Sequence, residues 1–389
     1  MATLFAHGAY VWGHDSTADV LIRDGVIDAV GELDPAADAE TLDLTGQVLM
    51  PSFVEAHCHL DKTLFGGRWV PHSAGDALAE RIANDRDRRR ELGIPSVDRI
   101  AALLQQMASY GTTHARTHTD VDPDVGLRGI EAVREAATRV GTVSVHQVAF
   151  PQHGVLATPG TEALLSAAAG AGVEAIGGID PAGMDGDPVR HLDIVFGIAE
   201  RHGLSLDIHL HDGGTLGAWE LELIAERTKA LSLAGRVAVS HAYAFGDLTD
   251  QHRDSIVERI AEAGVSIVTG AVYSFPVPPV KTLRAAGANV ACGHDGIRDL
   301  WGPYGSGDML ERAMHLAYRS TFRRDADIEL ALEAVTLGGR RLLGFDDRGI
   351  VPGAPADLVA VPADTPAEAV VTHPAERTIV RAGRVVTAA

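Results

Sequence analysis

The chain has 389 residues, 46% of them hydrophobic, and its 33 basic against 53 acidic side chains give a formal net charge of −20. This acidic balance argues against binding to a nucleic-acid backbone or to an anionic membrane surface, since both require clustered positive charge. Two cysteines and no apolar run near the roughly 20 residues of a membrane span predict a protein of the reducing cytoplasm without a disulfide framework.

The two ends of the chain have the pattern of short strands joined by turns. In residues 1–47 the dipeptide Asp24-Gly25 is a hairpin signal, and in residues 348–389 Ala382-Gly383 is a second one. We expect these two segments to pair into one small β-domain.

Residues 48–347 alternate short apolar runs with helical patterns, as repeated βα units do. The eight predicted strands cover residues 48–59, 112–120, 143–151, 173–180, 205–211, 237–244, 265–271 and 289–295. The predicted helices cover residues 97–110, 130–137, 161–171, 191–202, 216–231, 250–263 and 280–286. Eight such units predict an α/β fold of the (β/α)8 TIM-barrel type. A doubly wound sheet is the alternative, and the eight-fold count and the missing Gly-rich phosphate loop disfavour it.

Histidine and aspartate side chains lie at the ends of several predicted strands. His57 and His59, one residue apart on the first strand, point to the same side because side chains alternate with a period of two. His209 ends the fifth strand and Asp295 the eighth. Since the strand ends of a barrel meet at one face, three imidazoles and a carboxylate would hold one divalent ion and leave a position for water. Taken alone, the His57/His59 pair is only weak support for a metal, and two solvated histidines at a strand end are the alternative.

Longer stretches of sequence carry a family resemblance. They are PSFVEAHCHLDK at 51–62, VAFPQ at 148–152, DIHLHD at 207–212, SHA at 240–242 and DGIRDLW at 295–301. In this order they resemble the amidohydrolase superfamily, in the branch of cytosine deaminase and N-isopropylammelide isopropylaminohydrolase. The resemblance covers nearly the whole chain. It implies a metal-dependent hydrolase that removes an exocyclic amino or alkylamino group from a nitrogen heterocycle, an s-triazine or a pyrimidine-like ring.

The resemblance also implies a metal set and a base. One divalent ion, Zn²⁺ with Fe²⁺ as the alternative, would be held by His57, His59, His209 and Asp295. Asp295 would in addition take a proton from the attacking water, which His241 would orient. Binuclear relatives place a carboxylated lysine at the end of strand four, and residues 173–181 contain no lysine, so we expect a single ion.

Further roles near the substrate follow from the same resemblance. Lys62 and His211 would polarise or protonate the ring, and Gln152 would bind its edge through an amide donor–acceptor pair. We expect Trp301 to wall the ring, with core packing as the alternative. Lys62 is one of only three lysines in the chain, beside thirty arginines, which makes a generic surface role less expected.

Two departures from the relatives bear on the substrate. Cytosine deaminases carry a glutamate where this chain has Asp212, and Gly296 replaces a second polar residue after Asp295. The His-x-His-Asp pattern together with Lys62 resembles the isopropylammelide enzyme instead, which argues against cytosine as the substrate.

Other readings stay open at this point. A hydrolase that opens a cyclic amide or lactone on the same barrel is the first alternative, and a non-catalytic metal-binding scaffold is a distant one. The sequence leaves open the heterocycle, the leaving amine, a homo-oligomeric state, and the roles of His114, Arg116 and His118.

Overall fold

A computed structural model describes residues 3–14, 16–35, 39–75 and 78–386. The chain divides into two compact units. The first comprises the residues up to Val54, Met107–Thr113 and the residues from Asp308 onward, and the second comprises Glu55–Gln106 and His114–Gly307. The domain boundaries predicted at residues 47/48 and 347/348 stay a prediction.

The described strands and helices alternate along most of the chain. The strands are β1 (Thr3–Val11), β2 (Ser16–Arg23), β3 (Val26–Gly31), β4 (Glu40–Asp43), β5 (Gln47–Pro51), β6 (Phe53–Cys58), β7 (Thr112–Asp120), β8 (Ser144–Phe150), β9 (Ala175–Ile179), β10 (Ser205–Leu210), β11 (Val237–His241), β12 (Ser266–Thr269), β13 (Val290–Cys292), β14 (Leu358–Pro362), β15 (Thr378–Arg381) and β16 (Arg384–Val386). The helices are α1 (Leu78–Arg89), α2 (Val97–Ser109), α3 (Arg128–Val140), α4 (Thr161–Gly170), α5 (Pro188–His202), α6 (Gly214–Ala230), α7 (Asp250–Ala263), α8 (Val280–Ala285), α9 (Met309–Arg319), α10 (Asp325–Ala334), α11 (Leu337–Leu343) and α12 (Pro366–Thr372). None of these helices is long and apolar enough to cross a membrane.

The first unit contains a mixed sheet built from both ends of the chain. Its strand order is β16-β15-β14-β5-β1-β2-β3, with β4 paired to β1. The ends meet where β14 runs antiparallel to β5, with Leu358 opposite Pro51. Asp24 and Gly25, at φ 49° and 82°, form the turn between β2 and β3, and these positive angles are what a tight hairpin requires. The predicted pairing of the two ends is confirmed.

The second sheet is a nearly closed barrel of eight parallel strands. Its order follows the chain from β6 to β13. A parallel bridge between Cys58 and Asp295 brings its first and last strands together. The (β/α)8 fold predicted from the sequence is therefore confirmed, and each of the eight predicted segments contains one barrel strand.

The prediction of one continuous first strand over residues 48–59 is wrong. The segment divides into β5, which belongs to the mixed sheet, and β6, which belongs to the barrel. Pro51 ends β5 because proline has no N–H to donate to a ladder. Beyond it, the N–H of Phe53 donates to Gly111 at 3.0 Å, so the chain changes sheets within two residues.

The seven predicted helices are present as α2 to α8. Helix α5 shows why its bounds were readable: Asp187 caps its first turn by accepting from the N–H of Arg190, and Gly203 ends it at φ 67°. Helix α1 was not predicted. Its sequence, LAERIANDRDRR, is mostly charged, so it lacks the apolar periodicity on which such predictions depend.

Candidate metal centre and active site

The barrel closure places the carboxylate of the last strand beside the histidines of the first. The N–H of Asp295 donates to the carbonyl of His57 at 2.8 Å. The buried carboxylate of Glu55 accepts from the N–H of His57 at 3.1 Å and from that of His294 at 3.0 Å. Gly293 has to be glycine, because a Cβ there would collide with the His57 backbone. This close approach fixes the position of Asp295.

The tautomer of His57 follows from its partners. Its Nδ1 lies 2.9 Å from the hydroxyl of Ser240, and that hydroxyl donates to the carboxylate of Asp207 at 2.7 Å. Since the single hydroxyl proton goes to Asp207, Ser240 can only accept from His57. His57 therefore carries its proton on Nδ1 and turns the Nε2 lone pair toward Asp295, 3.5 Å away.

The same reasoning applies to His59. Its Nδ1 lies 3.0 Å from the carbonyl oxygen of His118, which can only accept, so Nδ1 carries the proton. Its Nε2 lone pair then faces a carboxylate oxygen of Asp295 at 3.2 Å. Two acceptors at this distance repel each other unless a proton or a metal cation lies between them. The site has the arrangement of a cation centre.

Two more imidazoles complete the cluster. Both ring nitrogens of His209 and the Nε2 of His241 are buried and have no hydrogen-bond partner among the described residues. One ligand atom from each of His57, His209, His241 and Asp295 lies within 4.8 Å of the others. The structure thus joins His241, predicted only to orient water, to three predicted ligands. His59, the fourth predicted ligand, reaches Asp295 from the same strand end as His57.

Burial keeps these imidazoles in the form that binds metal. It lowers the pKa of His209 and of His241 well below the usual histidine value, and the neighbouring imidazoles lower it further. Burial, with the charge of Lys62, also lowers the pKa of His59. The neutral imidazole is the metal-binding species, so no proton has to leave these rings at neutral pH.

His211 lies beside the cluster and is held by an acid that was not predicted. The carboxylate of Asp180 lies 2.8 Å from its Nδ1 and accepts from its backbone N–H at 2.5 Å. Although burial acts in the opposite direction, this carboxylate raises the pKa of His211 above the ordinary value. The ring stacks on His241 with centroids 4.5 Å apart. Asp180 therefore fixes the orientation of the His211 ring next to the imidazole cluster and favours its protonated form.

A second acid, Glu220 on α6, lies near the Asp180–His211 pair. It is fully buried and accepts from the N–H of Ala182 at 2.7 Å. Burial and the neighbouring Asp212 and Asp180 raise its pKa to about 8. The folded chain therefore holds a proton on Glu220 that the unfolded chain releases near its ordinary pKa of 4.5.

Glu220→Gln should consequently stabilise the protein in a pH-dependent way. The protonated acid contributes to the free energy of unfolding, and this contribution is fully present below about pH 4.5. It is lost as the pH rises to about 8, and the free energy of unfolding then falls by at most about 1.4 kcal/mol per pH unit. Glutamine keeps the neutral form at every pH. Thermal unfolding should show the difference in Tm, variant minus parent, growing from pH 5 to pH 8 and then levelling off. Glu226→Gln, an exposed acid of the same helix, is the control, and a difference that is flat with pH would contradict the assignment.

Lys62 is buried, 2% exposed, in a network of charges. Its Nζ lies 2.9 Å from the carboxylate of Asp120, and the other oxygen of Asp120 accepts from Arg89 of α1 at 2.9 Å. Arg89 also donates to Asp85 at 2.6 Å. Although burial opposes it, these carboxylates raise the pKa of Lys62, so the residue stays charged. The network fixes the position of the Lys62 ammonium group.

Gln152 has one half of its amide engaged. Lys62 donates to its Oε1 at 2.6 Å, and only the oxygen can accept from an ammonium group. Lys62 therefore occupies one lone pair of the predicted acceptor, and the amide NH2 is the donor half of the pair predicted to bind a substrate. Trp301 lies with its ring 5.8 Å from Lys62, and its indole N–H is buried without a partner among the described residues. Each of these three side chains, Lys62, Gln152 and Trp301, carries N–H donors, and we call them the donor edge.

Of the three strand-two residues without a predicted role, two support the cluster from behind. Arg116 donates to Asp207 at 3.0 Å, and Asp207 in turn holds Ser240. His118 packs against His57, with ring centroids 4.1 Å apart, and its carbonyl orients His59.

The backbone is strained where the site residues lie. His241 and Asp295 have φ values of 72° and 67°, and Asp180 has 36°. Non-glycine residues in this region cost about 1–3 kcal/mol each and concentrate at functional sites.

Comparisons with known proteins agree over most of the chain. The profile described as the amidohydrolase family matches residues 96–387. The chain is 29% identical over 394 residues to N-isopropylammelide isopropyl amidohydrolase of Pseudomonas sp. (strain ADP). That alignment includes 98% of this chain and 96% of the relative. The crystal structure of N-isopropylammelide isopropylaminohydrolase from Burkholderia multivorans ATCC 17616 is 46% identical, covers 99% of this chain and 98% of its own, and superposes with a TM-score of 0.94. That of 5-methylcytosine deaminase from Klebsiella pneumoniae, liganded with 5-fluorocytosine, is 26% identical, with 99% and 97% coverage and a TM-score of 0.83.

Proposed function

The chain belongs to the amidohydrolase family, and from that premise we propose that it removes an exocyclic amino or alkylamino group from a nitrogen heterocycle by hydrolysis. It is a hydrolase of non-peptide carbon–nitrogen bonds. The observation that carries the proposal is the convergence of imidazole lone pairs on Asp295 with no proton donor between them. An s-triazine or a pyrimidine-like ring is the proposed substrate.

The residues at this point fit one divalent ion. His57, His59, His209 and Asp295 would hold it, and their nitrogen-rich set favours Zn²⁺, with Fe²⁺ as the alternative. Such an ion supplies a water whose pKa is lowered to about 7, a strong nucleophile at neutral pH. We propose a single ion, because β9 carries no lysine to bridge two ions. A second group of possible ligands, His57, His118 and Asp207, already has a cation, since Arg116 lies 3.0 Å from Asp207.

Ser240→Ala tests the proposed ligand set through the partner of His57. Without the hydroxyl, Nδ1 of His57 loses its acceptor and the imidazole loses its fixed tautomer, so metal affinity should fall about 10- to 100-fold. Competition with a chromophoric chelator measures the change. Ser266→Ala removes another buried strand serine, on β12, and should leave the affinity unchanged. Equal affinity of Ser240→Ala and the parent would contradict the role of His57.

The chain's own residues would divide the proton transfers. Asp295 accepts a proton from water, and His241, whose Nδ1 lies 3.4 Å from the hydroxyl of Tyr243, orients that water. The water oxygen forms a bond to the ring carbon as the exocyclic carbon–nitrogen bond breaks. His211, held by Asp180, gives a proton to the departing nitrogen, which leaves as ammonia or an alkylamine.

The donor edge indicates how the ring would lie. Lys62, the amide NH2 of Gln152 and the indole N–H of Trp301 can only donate to a substrate. A ring carbonyl or an unprotonated ring nitrogen would satisfy them, and the Lys62 charge would stabilise negative charge that develops on the ring. An oxygenated heterocycle therefore suits this edge better than a purely amino-substituted one.

We also propose that the protein works in the reducing cytoplasm. Cys58 and Cys292 are both buried and are not joined in a disulfide, which suits such a compartment.

A substrate panel tests the proposed reaction. Protein of measured metal content is incubated with amino- and alkylamino-substituted triazines and pyrimidines, and free amine and ring-opened products are quantified. Release of ammonia or alkylamine with the ring intact is the expected result. Ring opening with the amine retained would support the cyclic-amide hydrolase instead, and silence across the panel with metal bound would contradict the proposal.

A further inference from the structure

Four aromatic side chains form a continuous surface beside the site. We define Tyr243, Tyr273, Phe275 and Tyr304 as the aromatic rim. Phe275 lies nearly parallel to Tyr243, at 12° and 5.0 Å between centroids. Tyr273 contacts Phe275 at 6.4 Å and Tyr304 at 6.0 Å. The rim joins the loop after β11 to the loops after β12 and β13.

The rim begins at the imidazoles and ends in solvent. The ring of Tyr243 lies 5.5 Å from His211 and 5.4 Å from His241. Outward, Phe275 is 44% exposed, Tyr273 51% and Tyr304 69%. Exposing a cluster of aromatic side chains to water is unfavourable, and such a surface commonly marks a binding site. Here it is continuous with the catalytic residues.

The barrel geometry relates the rim to the donor edge. Lys62 and Gln152 follow β6 and β8, so they flank β7. Tyr243 follows β11, four strands from β7 in a barrel of eight, and therefore lies on the opposite side. A ring anchored by the donor edge turns its far side toward His211, His241 and the rim.

We propose that the aromatic rim binds the apolar substituent of the departing amine. The inference rests on the proposed function and deepens it, since it assigns the enzyme an N-alkyl or N-aryl substrate in preference to an unsubstituted amine. Alkyl groups gain from leaving water for an aromatic surface, whereas an –NH2 group has nothing to place there. Phe275 and Tyr273 are then specificity-determining residues.

The test compares one heterocycle in two forms, with an alkylamino or an amino group, on the metal-loaded full-length protein. In Phe275→Ala and Tyr273→Ala the ratio of kcat/KM, alkylamino over amino, should fall about tenfold, mainly through KM. Tyr318→Ala removes a ring that is 80% exposed on α9 and should leave that ratio unchanged. Dissociation constants of the two compounds on metal-depleted protein, a readout without turnover, should shift in the same ratio.

The other outcomes each contradict the assignment. An equal loss on both compounds would assign Phe275 and Tyr273 to fold maintenance. An unchanged ratio together with a lower mass on gel filtration would make the rim an interface between copies of the chain. If the parent protein releases amine from neither compound, the proposed function is wrong and the rim assignment is wrong with it. This result comes from the parent alone, so it is distinct from the outcomes that depend on the variants.

Discussion

Asp295→Asn should lower kcat by about 10²- to 10⁴-fold. The substitution keeps the size of the side chain but removes both its charge and its capacity to accept a proton. It also leaves the lone pairs of His57 and His59, now 3.5 and 3.2 Å from a carboxylate oxygen, without an anion opposite them. Steady-state kinetics on the best substrate of the panel, with metal content measured on the same sample, gives the effect.

A neighbouring acid provides the control for this experiment. Asp299 is buried in the same loop, and its carboxylate accepts from the N–H groups of Trp301 and Gly302 at 2.8 and 2.9 Å. Asp299→Asn keeps that acceptor oxygen, so activity should stay within about tenfold of the parent. Amine release that persists in Asp295→Asn after its metal is lost would rule out the proposed roles of Asp295 and of the metal.

Lys62→Met should lower kcat/KM by about 10²- to 10³-fold, the range seen when one donor to a developing charge is removed. It should also destabilise the fold by about 3 kcal/mol, because Asp120 loses a buried partner at 2.9 Å. Arg89 still donates to Asp120, which keeps the loss at the lower end of the range for buried pairs. Kinetics and chemical denaturation measure the two effects.

The chain offers a matched control and a way to separate the two effects. Lys229 pairs with Glu262 at 2.8 Å on the surface, so Lys229→Met should change stability little and activity not at all. The double variant Lys62→Met/Asp120→Asn removes both buried charges, so it should recover stability but not activity. Recovery of activity along with stability would show that Lys62 serves the fold alone.

The barrel was predictable because most of its parallel strands contain short apolar runs and glycines end several of the helices between them. The approach of His57, His209 and Asp295 to one another was predictable for a related reason, since each lies at or just after the end of such a run. Their approach to one point depends only on the closure of the barrel, which the bridge from Cys58 to Asp295 supplies.

Two supporting acids also lie at strand ends, yet the sequence does not indicate their partners. Asp120 and Asp180 each end a predicted strand, as the candidate metal ligands do, but neither has a neighbour in sequence that suggests its role. Their partners, Lys62 and His211, come from other strands. Only the packed barrel shows which acid meets which base.

The state of Gln152 could not be read from the sequence at all. The contact that engages its amide oxygen comes from the end of another strand, in the hydrogen bond from Lys62 to Oε1. Helix α1 is a similar case. Its charged sequence gives no apolar periodicity, yet the segment forms a helix, and its Arg89 pairs with Asp120, the partner of Lys62.

The most direct test of the central claim follows one oxygen atom. Metal-loaded protein turns over an N-alkylamino heterocycle in ¹⁸O-labelled water, and both products are analysed by mass spectrometry together with metal content. We predict one ¹⁸O atom on an intact ring, one free alkylamine per turnover and one metal ion per chain. Label in a ring-opened product that still carries its alkylamino group would contradict hydrolysis of the exocyclic carbon–nitrogen bond.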